Sequence, residues 1–295
     1  MTTTAIEPTT RTIEAPGATL TYDVRRNEAS TEPPLFLIGS PMGAAGFGTL
    51  ASHFGDRTIV TYDPRGNGER SPVQDPSVKI TPAVQAEDVH RIIQEVGGAP
   101  YDMFASSGGA VVALALVAAY PGDLRTLVAH EPPLASLVPD REHALAACRA
   151  INATYERAGS NAGMAHFMQV VMHQGPFTAE VAAAPPPDPA MFGMPTEDDG
   201  TRGDLMLAHS VLWLTSYEPD FEALKRAPTR IVVAVGETSH GELAQRGGEA
   251  VAERLGVQVT PFPGDHGGFL GGEYGQTGEP EAFAARLREV LAGAG

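Results

Sequence analysis

The chain has 295 residues, of which 42% are apolar, enough for one large α/β domain or for a core that carries an inserted subdomain. Its formal charge of −16 gives a surface that repels nucleic acid and anionic lipid, so we expect neither nucleic-acid nor membrane partners. Cys148 is the only cysteine, which excludes an intramolecular disulfide and a cysteine metal cluster.

The start of the chain predicts a β-hairpin. Residues 1–10 are polar and rich in threonine, without the apolar region of a secretory signal, and with the single cysteine this predicts a cytoplasmic protein. Two stretches of alternating polar and apolar residues, 12–15 and 19–24, flank the turn Pro16-Gly17. This pattern is typical of two strands joined by a tight turn.

From residue 35 to residue 131, short apolar runs alternate with helical patterns. The runs are apolar on both faces, as in buried parallel strands, and cover residues 35–38, 58–62, 101–105 and 126–130. The helical patterns cover residues 82–96 and 108–120. Strands and helices in alternation predict an α/β fold with a doubly wound, mostly parallel sheet.

The pattern changes between residues 135 and 221, where no comparable strand appears. Helical patterns cover residues 142–158, 162–173 and 204–217, and a Pro- and Ala-rich, then acidic, connector that we expect on the surface spans 182–203. Alternation then resumes, with strands at 230–235 and 258–261 and helices at 242–255 and 280–292. This organisation predicts one core made of residues 1–134 and 222–295, with residues 135–221 inserted as a helical cap.

A serine on a tight turn is the first candidate for a catalytic residue. Ser107 lies in the sequence Ala-Ser-Ser-Gly-Gly, residues 105–109, between a predicted strand and a predicted helix. This is the small-x-Ser-x-Gly pattern, in which small neighbours let a strained serine present its hydroxyl at the N-terminus of the following helix. The alternative is an ordinary strand-to-helix turn capped by Ser106 or Ser107.

Together with this turn, two further motifs resemble the α/β-hydrolase superfamily over nearly the whole chain. Residues 38–41, Ile-Gly-Ser-Pro, are similar to the family's His-Gly-x-Pro loop after the third strand. Residues 63–68, Asp-Pro-Arg-Gly-Asn-Gly, with Ser71 shortly after, resemble its Asp-x-Arg-Gly-x-Gly-x-Ser segment after the fourth strand. The resemblance implies the α/β-hydrolase fold with a helical cap, and Ser107 as the nucleophile.

The resemblance also implies a general base and an acid that orients it. His266 lies in the loop after the last predicted strand, where the family has its base. The usual acid position, after the seventh strand, holds Ser239, which cannot stabilise an imidazolium as a carboxylate does. Two alternatives remain, Glu131 after the sixth strand and Glu237 after the seventh, and we favour Glu131, a position that some branches of the family use for the acid.

Acyl transfer also needs two hydrogen-bond donors for the oxygen that becomes negative. The N–H of Gly108 would supply the first, and the resemblance implies the N–H of Ser40 for the second. Met42 is the alternative, because Pro41 has no N–H. Candidates for the substrate pocket are Met42 and several apolar residues of the cap, although such residues at helical spacing more often form a core; the cap residues are Phe167, Met168, Met172, Trp213, Leu214 and Tyr217.

The leading hypothesis is a serine hydrolase that cleaves a carboxylic ester or lactone of a small, largely apolar substrate through an acyl-enzyme. We expect a small-molecule substrate and neither a metal nor an organic cofactor, and the sequence leaves a homodimer open. One alternative is the use of the same residues for C–C bond, amide or perhydrolysis chemistry in secondary metabolism. Another is a ligand-sensing module on a hydrolase scaffold.

Overall fold

A computed structural model describes residues 6–66, 70–75 and 77–293 of the chain. Asn67 and Gly68 of the 63–68 motif, and the first five residues of the polar N-terminus, lie outside the described residues. The strands are β1 (Thr9–Ala15), β2 (Ala18–Arg25), β3 (Leu35–Ile38), β4 (Ile59–Tyr62), β5 (Tyr101–Ser106), β6 (Leu124–His130), β7 (Arg230–Gly236) and β8 (Thr260–Phe262).

These strands form one sheet in the order β1-β2-β4-β3-β5-β6-β7-β8. The hairpin partners β1 and β2 are antiparallel, and β2 is also antiparallel to β4. All the other neighbouring pairs are parallel. The predicted hairpin and the predicted doubly wound, mostly parallel sheet are therefore both confirmed.

The α-helices lie on both faces of this sheet or in the segment between β6 and β7. In chain order they are α1 (Gly48–Ser52), α2 (Pro82–Val96), α3 (Gly108–Ala119), α4 (Arg141–Val171), α5 (Ala179–Ala182), α6 (Val211–Thr215), α7 (Phe221–Arg226), α8 (Leu243–Leu255) and α9 (Pro280–Leu291). Short 3-10 turns cover Ala44–Phe47, Pro189–Phe192 and Glu273–Gly275. None of the helices in the described ranges is both long enough and apolar enough to cross a membrane.

Strand β5 shows how the sheet builds a core on each of its faces. Met103 and Ala105 pack in one buried cluster with the apolar residues of α2, α3 and α8. Phe104, between them in sequence, packs in a second cluster with Phe47 and with Phe283 of α9. Successive side chains of a strand point to opposite faces, so a strand buried on both faces is apolar at every position, which explains the continuous runs in the sequence.

The helical segment between β6 and β7 differs in detail from its prediction. The two helices expected at 142–158 and 162–173 are both present within α4, and they are separated at Gly159, whose φ of 83° is not helical. A Cβ on Gly159 would approach the carboxylate of Asp198 in the connector, but that side chain is exposed and can move, so glycine is required here for its conformation. The helix expected at 204–217 consists of a π turn, Met206–Ser210, followed by α6.

The helical segment between β6 and β7 has its own cluster of buried side chains, and an ion pair links it to the core. Ile151, Tyr155 and Phe177 are buried in that cluster. The guanidinium of Arg246, in α8 of the core, pairs with Asp140 at the start of α4. The boundaries at residues 134 and 221 themselves stay a prediction.

Candidate active site

Ser107 occupies a sharp turn between β5 and α3, as expected. Its backbone angles, φ 59° and ψ −131°, lie in a region that side-chain-bearing residues rarely adopt. Its N–H donates to the carbonyl oxygen of His130 at 2.9 Å, which continues the pairing of β5 with β6. Such strain persists only where the surroundings impose it, and it is typical of functional positions.

Close packing explains why the turn needs glycines after the serine. A Cβ on Gly109 would lie 2.7 Å from the Cα of Gly39 and 2.8 Å from the carbonyl oxygen of Ile38. A Cβ on Gly108 would lie 2.7 Å from the carbonyl oxygen of Ser40. The turn is therefore pressed against the loop after β3, which brings the predicted second donor next to the predicted first one.

His266 and Glu131 form a hydrogen-bonded pair beside this turn. The Nδ1 atom of His266 lies 2.6 Å from the Oε2 atom of Glu131, across 135 residues of sequence. The other carboxylate oxygen, Oε1, accepts a hydrogen bond from the N–H of Gly236 at 2.8 Å. Glu131 is fully buried and has a left-handed φ of 50°, so its backbone is also strained.

The pair shifts the pKa of each partner in the direction that keeps it charged. Burial alone would raise the pKa of Glu131, but the hydrogen bond from His266 and the nearby imidazoles lower it to about 2. Burial alone would lower the pKa of His266, but the hydrogen bond and charge of Glu131 raise it above the ordinary value. Glu131 is thus a permanent anion that stabilises an imidazolium at His266.

Neither of the other two residues considered for the acid makes this contact. Glu237 has an exposed side chain, and its N–H donates to the carbonyl oxygen of Phe262. Ser239 is buried and its Oγ makes no hydrogen bond of good geometry within the described ranges, although it lies close enough to Glu131 to lower the pKa of that carboxyl. Of the carboxylates weighed from the sequence, the structure brings Glu131 to His266.

Behind the pair lies His130, a residue to which none of the sequence motifs assigns a role. Its ring is fully buried and stacks on that of His266, with centroids 5.8 Å apart. Its Nδ1 lies 3.1 Å from the Oγ of Ser106, while its Nε2 is buried without a hydrogen-bond partner among the residues described. Burial lowers the pKa of His130 to about 4, so the ring is neutral near pH 7.

His130, Glu131 and His266 are also the one group in the described part of the chain whose ligand atoms could hold a metal ion, within 4.8 Å of one another. The His266 and Glu131 atoms are already in direct contact at 2.6 Å. A bound ion with ligands about 2 Å away would have to separate them. The arrangement fits a proton-transfer pair better than a metal site.

No hydrogen bond joins the hydroxyl of Ser107 to His266 within the described residues. Such contacts are often long in ligand-free enzymes and tighten when substrate binds. The carboxyl ends of β5, β6 and β7 are neighbours in the sheet, and they carry Ser107, Glu131 and the Gly236 N–H respectively. Ser107 and the His266–Glu131 pair thus lie on the same side of the sheet, at the carboxyl ends of its strands.

The loop after β3 is supported by the second predicted motif. The carboxylate of Asp63 accepts a hydrogen bond from the N–H of Ala44 at 3.1 Å, and Ser71 donates to the carbonyl oxygen of Asp63 at 2.7 Å. The guanidinium of Arg65 donates to buried Asp88 of α2, with Nε 2.6 Å from Oδ2. The described residues of this motif therefore stabilise, through hydrogen bonds, the backbone of the loop after β3 and of the segment after β4.

The apolar pocket candidates lie in different places. Leu214 reaches the turn at residues 105–109, called the elbow below, since its Cδ1 would be 2.8 Å from a Cβ on Gly108. Trp213 is half-buried and stacks on His209, Phe167 packs against the buried cluster of the helical segment, and Met172 is 58% exposed. Met42 is half-buried and lies against Gly39 and Gly46.

Two surface cavities lie away from these residues. One, of about 530 Å³, is lined by residues 136–143 and Arg254, and the other, of about 150 Å³, lies near the N-terminal residues and Arg57. Neither lining includes a member of the Ser107, Glu131 and His266 group. The candidate site therefore consists of the strained Ser107 and the His266–Glu131 pair at the carboxyl ends of the strands. Leu214 packs against the turn at Gly108.

Comparison with known proteins supports the fold along the entire chain. The chain is 27% identical over 286 residues to "Uncharacterized hydrolase YraK" of Bacillus subtilis, a match that covers 95% of each chain. It superimposes on an esterase from Thermogutta terrifontis with a TM-score of 0.67 at 19% identity, covering 98% of this chain and 99% of the other. An alpha/beta hydrolase from Sphaerobacter thermophilus gives 0.64 at 19% identity over 95% and 99%. No protein-family profile matches the chain.

Proposed function

We propose that the chain, which has the α/β-hydrolase fold and is similar to a curated hydrolase, belongs to that superfamily and is a serine hydrolase acting on a carboxylic ester or lactone. The observation that carries the proposal is the 2.6 Å contact between His266 and Glu131, on the same sheet edge as the strained Ser107. A histidine held by a buried carboxylate, next to a serine on a strained turn, is the arrangement that activates a hydroxyl for acyl transfer.

The first half of the proposed reaction forms an acyl-enzyme. His266 Nε2 takes the proton of the Ser107 hydroxyl as Oγ attacks the carbonyl carbon of the ester. The carbonyl oxygen becomes negative, and the N–H groups of Gly108 and Ser40 stabilise it, with Met42 as the alternative second donor. The intermediate collapses when the C–O bond to the alcohol breaks, and His266 returns the proton to the departing oxygen.

The second half releases the acid. A water molecule gives its proton to His266 Nε2 and attacks the acyl carbon, and the bond to Ser107 Oγ then breaks as that oxygen regains the proton. Glu131 stays ionised throughout, because its pKa of about 2 lies far below neutral pH. The proposed cycle needs a small-molecule substrate and no metal or organic cofactor.

The buried apolar surroundings of the elbow support a small, largely apolar substrate. Leu214 lies directly above Gly108, and Met42 follows the proposed donor loop. The same residues could in principle perform C–C, amide or perhydrolysis chemistry, which differ in the group that leaves or attacks. We place esters and lactones first, because their alkoxide leaving groups need the least assistance from the protein.

Labelling with a fluorophosphonate probe tests the proposal directly. The wild-type protein should form one covalent adduct, located at Ser107 by mass spectrometry, and Ser107→Ala should form none. Ser106→Ala, next to it in sequence, is the control for the site of attachment and should still label at Ser107. A wild-type protein that does not react would show that the serine is not activated and would favour the ligand-sensing alternative.

A further inference from the structure

The turn after His266 reaches back to helix α1, which follows the loop after β3. Glu273 ties the two segments together, because its Oε1 accepts a hydrogen bond from the N–H of Thr49 at 2.7 Å and its Oε2 accepts one from Gly271 at 2.6 Å. Gly271 and Thr277 pair across the base of the turn. The position of the turn is therefore fixed by hydrogen bonds on both sides.

Tyr274 stands at the tip of this turn in an unfavourable backbone conformation. Its φ of 56° and ψ of 23° are left-handed, where glycine or asparagine would be less strained. The side chain is 63% exposed, and its hydroxyl makes no hydrogen bond within the described part of the chain. Most of the ring is thus open to solvent while its backbone bears strain, which points to a contact with a molecule outside the chain.

The ring of Tyr274 lies beside the side chain of Met42. A Cβ on Gly46 would be 2.2 Å from the Sδ of Met42 and 3.1 Å from the Cε2 of Tyr274. Because the Sδ of Met42 and the Cε2 of Tyr274 are both this close to the same Cβ position, they are also close to each other. The sulfur is therefore within range of a sulfur–aromatic contact, for which it lies about 5 Å from the ring. Gly46 provides the hollow in which the two side chains meet.

Met42 and Tyr274 lie on the two segments that carry Ser40 and His266 of the proposed site. Met42 follows Ser40 by two residues, and the carbonyl oxygen of Ser40 lies against Gly108 at the elbow. The turn that carries Tyr274 begins five residues after His266. Met42 is half-buried and packs against the core cluster that contains Phe104, and the exposed ring of Tyr274 extends this apolar surface outward.

We propose that Tyr274 and Met42 form a subsite for a flat, uncharged group of the substrate, such as an aromatic ring. This inference rests on the proposed function and adds the substrate class that the site prefers. The exposed ring presents a face on which a second flat group stacks, and a thioether adapts to such a group without requiring a hydrogen bond. Both carboxylate oxygens of Glu273 already accept hydrogen bonds from backbone N–H groups, so the neighbouring carboxylate does not require a positively charged substrate group.

Three simple esters test the subsite: methyl acetate, phenyl acetate and methyl benzoate, compared in wild type, Tyr274→Gly and Tyr274→Phe. The glycine removes the ring and relieves the left-handed backbone, whereas phenylalanine keeps the ring and removes only the hydroxyl. We expect Tyr274→Gly to lower kcat/KM for one of the aromatic esters about five- to tenfold more than for methyl acetate. Tyr274→Phe should keep the wild-type preference.

Val257→Gly is the matched control, because Val257 is also an exposed apolar residue, 39% exposed, between α8 and β8 at the opposite edge of the sheet. It should leave the ratio of aromatic to methyl ester unchanged. Equal losses on all three esters in Tyr274→Gly, or a Tyr274→Phe protein that behaves like the glycine variant, would overturn the subsite while leaving the proposed function intact.

A binding measurement separates failure of the subsite from failure of the function. Phenyl acetate and methyl acetate are titrated by NMR into Ser107→Ala, with and without Tyr274→Gly. Tighter binding of phenyl acetate that is lost with Tyr274→Gly supports the subsite even if no ester is hydrolysed. Equal binding of the two esters in both proteins would overturn it.

Discussion

The Oγ of Ser106 lies 3.1 Å from the Nδ1 of His130, and each of these residues directly precedes a member of the proposed triad. The two residues are register partners at the ends of β5 and β6. The hydrogen bond therefore links the turn that carries Ser107 to the turn that carries Glu131. Both of those turns have positive φ at a residue other than glycine, so the link joins two strained points of the backbone.

Removing the hydroxyl of Ser106 should destabilise the protein. Ser106→Ala leaves both ring nitrogens of buried His130 without partners, because Nε2 has none among the described residues. We expect a loss of about 1–3 kcal/mol in the free energy of unfolding, measured by urea denaturation. In a His130→Phe background the same change should cost less, and an equal cost in both backgrounds would show that the hydrogen bond contributes nothing.

Replacing Glu131 by glutamine should disable catalysis more than folding. The amide oxygen still accepts from the N–H of Gly236, but the side chain loses the charge that stabilises the imidazolium of His266. We expect kcat for a simple ester to fall about 10³–10⁴-fold. Glu237→Gln, at the exposed alternative, is the matched control and should stay within a few-fold of wild type. The reverse result would move the acid to Glu237.

The pH dependence of kcat/KM should follow the protonation of His266. The base must be neutral to accept a proton, and Glu131 raises its pKa above the ordinary value of about 6.5. Activity should therefore be lost as the pH falls through a midpoint above about 6.5. Because His130 has a pKa of about 4, it should not contribute to this limb.

The charge of Glu242 should also affect that midpoint. Glu242 and Asp265 add to the negative field that raises the pKa of His266, while nearby neutral His130 does not. Glu242→Gln should move the acid limb to lower pH, because the negative charge that Glu242 contributes is removed. Glu249→Gln, an exposed change on the same helix, should leave it in place, and a shift in the opposite direction for Glu242→Gln would contradict the assignment.

Adding a methyl group at the second glycine after Ser107 should disturb the proposed donor loop. Gly109→Ala places a Cβ 2.7 Å from the Cα of Gly39, and backbone atoms cannot move aside as a flexible side chain can. We expect a loss of about 1–3 kcal/mol in stability together with a lower kcat, from thermal unfolding and ester hydrolysis. Gly122→Ala, where a Cβ meets nothing within 4 Å, is the control and should change neither.

The local structure of this chain is encoded in short stretches of its sequence. The spacing of small residues around Ser107 predicts the elbow, because only small side chains fit where the turn meets Gly39. Continuous apolar runs predict strands buried on both faces, and Pro82–Val96 is helical over its whole predicted length. The break at Gly159 is also local, because it falls between the two predicted helices at a glycine whose φ of 83° is not helical.

The pairing of the functional residues is decided by the tertiary structure. Glu131 and Glu237 are both carboxylates that follow neighbouring strands, and composition or spacing does not distinguish them. The strand order and register bring Glu131 to His266 across 135 residues, and the Gly236 N–H fixes its other oxygen. The role proposed for Tyr274 likewise depends on its proximity to Met42 over Gly46. The sequence determines which backbone segments form and that the turn at Ser107 is strained, since those depend on near neighbours, whereas long-range contacts depend on how the whole sheet is assembled.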